Sequence, residues 1–397
     1  MNIKKVPLSE LKSRMDRLKA KMTQTQPDWE IGVVFSKINQ YYFTGTMQDG
    51  MLLIPREGDP VYRVRRSFDR ATDESNFPDI RPMESYRDAM GDYTRPIDTL
   101  YIEADSVPLS VIQRFKKYFP YKNLKPMDAQ ILSVRSVKSD YEVDLMKTCG
   151  QIHRHVLEDL APGLMEEGMS EVDLALKLYE ALVQNGHHGT VRFGGYDVSL
   201  VMGHVCFGES SIYPTYFDGP GGNYGLNPAV PFLGNKDRKL KKGDLVFVDV
   251  ACGYEGYHTD KTMTYVFGGS LPDDAVRGHH LCRQVQDRIA AGLKPGNTPA
   301  ELYNETMASL DPEFLKNFMG FGQRSVKFLG HGIGLWVDEP PVIADKFNEP
   351  LQENMVIALE PKKGFAGVGM VGVENTFLVT KDGGQILTGT NPGLIRV

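Results

Sequence analysis

Apolar positions recur at helical spacing near the start of the chain, where Leu11, Met15, Leu18 and Met22 alternate with lysines and arginines. That period predicts a first helix over 10–22. Short apolar runs follow at Ile31 to Phe35, Met51 to Ile54 and Thr99 to Ile102, each the length of a strand. Asp49-Gly50 reads as a turn between extended segments. Val107 to Phe119 has helical character and stops at Pro120. This alternation predicts a small α/β domain over 1–130, with its boundary within 125–139. Beyond it, Ser139 with Glu142 and Ser170 with Asp173 each form a capping box that opens a helix. The first helix is expected to reach about Leu160, and the second buries Leu174, Leu178 and Leu182.

The pattern then changes. Residues 193–209 and 215–234 are rich in glycine and aromatics and lack helical periodicity, so strands and ordered loops lining a site are expected there. Leu245 to Val250 is an apolar strand after the turn Lys242-Gly243-Asp244. A second turn at Gly253 to Gly256 and a returning strand over Lys261 to Phe267 complete a hairpin. Pro272 opens a helix to about Ala291, and Thr298, Pro299 and Glu301 mark another helix start. The last 45 or so residues alternate apolar runs with glycine turns, as antiparallel strands would, down to Thr380-Lys381-Asp382-Gly383.

Composition narrows the class. The 397 residues are 41% hydrophobic and 24% charged, with 40 glycines and a formal net charge of −6. That is the make-up of a two-domain globular protein. The acidic balance opposes phosphate-backbone binding, so no nucleic-acid partner is expected. No run is long and apolar enough to span a bilayer. Cys149, Cys206, Cys252 and Cys282 show no CxxC pairing, and the charged N-terminus has no apolar signal core. Reduced thiols and a cytoplasmic location are therefore expected.

The candidate chemistry lies in the second domain, 131–397. Asp249 interrupts an apolar strand and Asp260 stands at the start of the returning one. A buried, unpaired carboxylate is unfavourable. Metal coordination resolves that, and for this pair alone a salt bridge or backbone contacts resolve it as well. His331 is flanked by glycines, Glu360 closes an apolar strand, and Glu374 lies inside another strand pattern. Four carboxylates and one imidazole give a mostly oxygen ligand set suited to two divalent ions of intermediate hardness.

These motifs identify a resemblance to the creatinase and aminopeptidase P superfamily, the pita-bread or M24 peptidases, which include Xaa-Pro aminopeptidases and prolidases. Asp249 and Asp260 match the two aspartates of the segment over 248–260, His331 the GHGIG histidine, Glu360 the IEP glutamate, and Glu374 the last glutamate. The stretch 41–46 is similar to the N-terminal domain's YLTG motif, and 135–147 to the domain-junction segment. The resemblance implies an α/β fold (α+β by stricter convention), with a creatinase-like N-terminal domain that helps cover the cleft of a pita-bread domain. It implies two divalent ions per chain, Mn, Co, Zn or Fe, and a homodimer. It further implies hydrolysis of a peptide or amide bond in a small substrate, with proline after the scissile bond. Glu360 would bind metal and accept the proton of a shared water.

Two positions depart from the pattern. Phe232 and Asp338 stand where the peptidases carry substrate-binding histidines. His204 is a candidate replacement imidazole, so Glu360, Asp338 and His204 form the candidate catalytic set. The departures imply a shift from short anionic dipeptides toward longer, neutral or cationic substrates. They leave open a non-peptide C–N hydrolase or lyase, and a metal-binding protein with little peptidase activity. His258 is expected to point away from the metals, and His187, His188, His279 and His280 to lie at the surface.

Overall fold

The hydrophobic periods become real elements in the computed structural model, which describes residues 3–194 and 200–397. The chain divides into two compact units, Met1–Arg135 and Ser136–Val397. In the first, the helix Leu8–Thr25 buries Leu11, Met15, Leu18 and Met22, the predicted stripe. The strand Ile31–Val34 pairs antiparallel with Asp49–Pro55 and parallel with Ile97–Ile102. It lies inside a mixed six-stranded sheet completed by Val61–Arg66, Ile80–Pro82 and Tyr121–Pro126. The helix within 107–119 is Leu109–Lys116. Asp49-Gly50 is not a turn. Both residues open a strand, and a Cβ on Gly50 would meet the Arg63 carbonyl oxygen at 2.3 Å. The glycine serves a close backbone approach across the sheet.

In the second unit the capping boxes at Ser139, Ser170 and Thr298 are all formed, and open the helices Asp140–Arg154, Glu171–Gln184 and Pro299–Ala308. The first continues through a π turn and a short 3₁₀ turn to Leu164. Pro272 caps Asp273–Gly292. Two antiparallel layers carry the site. One pairs Gly203–Phe207 with Leu245–Tyr254, which pairs with Tyr257–Val266; the strand Ile395–Arg396 lies parallel at its edge. The other runs in the order Glu339–Ala344, Phe328–Gly332, Val356–Leu359, Asn375–Thr380, Gly383–Ile386. Strand structure therefore extends past Gly383. A bridge between Thr262 and Glu374 ties the two layers together. Leu174, Leu178 and Leu182 pack with Val246, Val248 and Val250 in one core, and Val285 and Ile289 with Ile357 and Leu359 in another.

The returning hairpin strand begins at Tyr257, so Asp260 sits within it rather than at its start. Glycine-rich residues 203–207 form a strand, and most of 213–244 is ordered loop; residues 195–199 lie outside the described ones. His187 and His279 are buried, not at the surface. His279 shares a helix face with Ala275, Cys282, Gln286 and Ile289, a helical stripe. All four cysteines are free and buried. No helix among the described residues is long and apolar enough to cross a membrane.

Candidate metal centre

The hairpin sets the first two carboxylates. Asp249 lies opposite Thr262, and Asp260 opposite Ala251. Directly paired residues share a sheet face, so Asp249, Asp260 and Thr262 point the same way. Val246, Val248, Val250 and Cys252 take the opposite face and pack on the helices. His204 lies opposite Asp249 from the other side and so joins the same face. His331 lies between Val342 and Ala358 on neighbouring strands. A Cβ at Gly330 would meet the Ala358 carbonyl oxygen at 2.2 Å, and one at Gly332 the Pro340 oxygen at 2.4 Å. The flanking glycines thus let three strands close around the histidine. Glu360 follows the strand Val356–Leu359, and its N–H donates to the Leu329 carbonyl. The Glu374 N–H donates to the Thr262 carbonyl at 3.3 Å, and the Thr262 N–H returns the bond at 3.2 Å.

All five expected ligand residues converge. Asp260, His331 and Glu374 offer ligand atoms within 4.8 Å of one another. His331 Nε2 is 3.6 Å from Glu360 Oε1 and 3.7 Å from Glu374 Oε1. Those separations approach the tetrahedral edge, about 3.4 Å, of an ion bound at about 2.1 Å. These side chains therefore fit one divalent ion. His331 Nδ1 lies 3.2 Å from Asp338 Oδ1 and 3.1 Å from the Gly332 carbonyl oxygen, so its Nδ1–H has acceptors and Nε2 is left to face the carboxylates.

The other half of the site is different. Lys362 Nζ donates to Asp249 Oδ2 at 2.9 Å, Glu360 Oε2 at 2.9 Å and Glu374 Oε2 at 2.7 Å. The Thr262 hydroxyl lies 2.9 Å from Asp249 Oδ1 and 3.0 Å from Glu374 Oε2 and donates its single proton there. Lys362 is a site residue that the sequence pattern around Glu360 did not single out. The available signal was the place of the two adjacent lysines: on a strand, one of two neighbours must face inward.

Electrostatics follow from this packing. Burial raises the Glu360 carboxyl to about 8 and Asp249 to about 6, in both cases against the pull of Lys362. Asp260 is pushed well up by burial and by Glu374 and Asp249. Burial also opposes charge on Glu374, but Lys362 and His331 hold it well below the carboxylate range. Burial depresses His204 to about 3, helped by Lys362 and Arg324, so its imidazole is neutral. Its ring packs 5.5 Å from that of Phe232 and 5.4 Å from Phe217. Phe232 is thus part of an apolar wall. His258 has the parity of Asp260 and does not face away from it by alternation; its contacts are the His188 ring at 5.1 Å and the Gly334 carbonyl at 3.1 Å.

A polar layer lies behind these candidate ligands. Lys261 Nζ donates to Asn375 Oδ1 at 2.7 Å, Asn375 Nδ2 to Gln286 Oε1 at 3.0 Å, and Gln286 Nε2 to the Leu359 carbonyl at 2.7 Å. This chain of bonds joins the residues adjacent to Asp260, Glu374 and Glu360.

The sequence matches metallopeptidase family M24 over residues 144–381 and the creatinase/prolidase N-terminal domain over 14–137. The chain belongs to metallopeptidase family M24. It is a hydrolase of the metallopeptidase type, and the family implies divalent metal ions. A Xaa-Pro dipeptidase of Pyrococcus furiosus is 26% identical over 389 residues, spanning 97% of this chain and all of that one. A prolidase structure from Pyrococcus horikoshii superposes with a TM-score of 0.77 at 25% identity, covering 95% of this chain and 98% of that one. An X-Pro aminopeptidase structure from Thermotoga maritima, at 22% identity and a TM-score of 0.75, covers 96% and 99% and shares the fold. The α/β fold with a creatinase-like N-terminal domain and a pita-bread domain is thereby established.

Proposed function

We propose that this M24 hydrolase cleaves the peptide bond of a small peptide, as its Xaa-Pro dipeptidase relatives are named for doing. The observation that carries the reading is the convergence of Asp260, His331 and Glu374, with Glu360 beside them, on one face of a buried hairpin. A divalent ion held there, Mn, Co, Zn or Fe, would supply a Lewis acid and a more acidic water. Glu360 takes the proton of the attacking water and returns it to the leaving nitrogen. Asp338 orients His331. His204, a neutral imidazole, offers one hydrogen bond to substrate, and Phe232 and Phe217 form the apolar wall. The two-ion count implied by resemblance is not part of this proposal, because the Lys362 ammonium stands where Asp249, Glu360 and Glu374 meet. The resemblance also supports a homodimer, which sedimentation tests, and the four free cysteines fit the expected cytoplasmic location.

Phenylalanine at 232 cannot donate to a substrate carboxylate, and an ionised Asp338 repels one. Longer, neutral or cationic peptides are therefore the favoured substrates. The test compares kcat/KM for a Xaa-Pro dipeptide, its C-terminal amide and a longer peptide, with the metal restored. The amide and the longer peptide are expected to lead. Preference for the free dipeptide, unchanged in His204→Ala and Asp338→Ala, contradicts the substrate reading. Inactivity on all three with metal bound favours the second reading, a non-peptide C–N hydrolase or lyase, to which the same two departures point.

A further inference from the structure

The Lys362 side chain is 1% exposed, so its charge has no access to water. An ammonium has three protons, and three carboxylate oxygens take them at 2.7 to 2.9 Å. The lysine stem has a path built for it. Lys362 pairs with Gly372 on the partner strand, and a Cβ at Gly372 would lie 2.6 Å from Lys362 Cα and 3.0 Å from its Cγ. Gly372 also holds a φ of +137°, a backbone conformation open to glycine. The wall beyond the ammonium is the Phe247 ring, 5.9 Å away.

The carboxylate oxygens divide cleanly between two cations. Asp249 uses Oδ2 for Lys362, and its Oδ1 shares the single Thr262 hydroxyl proton with Glu374 Oε2, so the chain supplies both of its oxygens with a partner. Glu360 and Glu374 each give Oε2 to Lys362 and turn Oε1 toward His331 Nε2. What Lys362 does not reach is the His331 side, with Asp260 alongside. An ion bridging Asp249 and Glu374 at about 2.1 Å would have to enter the gap that Nζ fills. Lys362 would then be expelled, charged, against buried aromatic surface, which is unfavourable.

We propose that Lys362 stands in for a second metal ion: its ammonium holds the Asp249 side of the site, and the chain takes one divalent ion, at Asp260, His331 and Glu374, with Glu360 adjacent. The proposal rests on the metallohydrolase reading above and fixes the nuclearity of that site. A family defined by its carboxylate ligands thus carries here a covalently tethered cation in one of two positions.

Stoichiometry decides it without an activity assay. The full-length protein is stripped with chelator, reloaded with excess Mn2+, freed of unbound metal and measured by elemental analysis. Wild type is expected to hold one ion per chain. Lys362→Ala opens the gap and is expected to hold two, whereas Lys362→Met, which fills it without charge, is expected to hold one. Circular dichroism and a melting curve establish that each variant is folded. Anomalous scattering from Mn-loaded wild-type crystals is expected to give one peak, beside His331. Two ions in wild type, a peak between Asp249 and Glu374, or a folded Lys362→Ala still limited to one ion overturns the proposal while leaving the metallohydrolase reading intact. No ion in wild type overturns both.

Discussion

Replacing Asp338 isolates the contact that aims His331 at the metal position. Asp338 Oδ1 is 3.2 Å from His331 Nδ1, and its side chain is 38% exposed. Partners behind a metal ligand are typically worth 10- to 100-fold in affinity. Water screens a carboxylate this open, and the Gly332 carbonyl at 3.1 Å offers His331 a second acceptor. The low end therefore applies, and Asp338→Ala should weaken Mn2+ binding about tenfold, or about 1.4 kcal/mol. Asp338→Asn keeps an acceptor without charge and should recover part of that loss. Asp338 also favours the imidazolium in the metal-free site, so a proton competes with metal there as pH falls. Removing Asp338 relieves that competition, and the loss in affinity should be larger at pH 8 than at pH 6. Competition titration against a fluorescent chelator measures all three proteins at both values. Unchanged affinity in Asp338→Ala at pH 8 would refute the positioning role and leave Asp338 as a substrate contact only.

Glu360→Gln should lower kcat by about a hundredfold or more at saturating metal while the melting curve stays close to wild type; full turnover removes Glu360 as the base. Glu171 tests a pH effect remote from the metal. It accepts bonds from the Phe207 and Asn235 N–H groups at 2.7 Å each, and burial raises its carboxyl to about 7. A folded pKa above the unfolded value means that its stabilising contribution is complete below about 4.5 and is lost as pH rises through about 7, at most about 3 kcal/mol. The stability of wild type relative to Glu171→Gln should therefore fall between pH 5 and pH 8; parallel profiles in urea titrations would contradict this.

Local signals were legible wherever the chemistry is local. Ser139, Ser170 and Thr298 each carry their capping partner three residues on, and all three boxes form. The five candidate ligand residues were legible because each breaks an apolar or glycine pattern in or beside a strand. What stayed hidden depends on distant partners. Asp49-Gly50 has turn composition, but the neighbouring strand needs a glycine for close approach, and only the sheet reveals that. Lys362 reads as a solvated lysine until Asp249, from a strand 113 positions earlier, is placed beside it. His279 was readable: spacing from Ala275 to Cys282 puts it on a buried stripe, and treating histidine as a surface residue overrode that period. Asp338 was singled out for its place in a motif, whereas its contact with His331 is a fact of the loop after that strand.

The most direct test of the central claim is the metal requirement of peptide cleavage at this site. Wild type and Asp260→Asn are stripped of metal, then titrated with Mn2+ while hydrolysis of an Xaa-Pro peptide amide is followed. Wild type is expected to be inactive when stripped and to regain turnover as Asp260, His331 and Glu374 fill, whereas Asp260→Asn should need far more metal and recover far less. Equal turnover in the stripped and reloaded wild type, or full recovery of Asp260→Asn at the same metal concentration, would contradict the account.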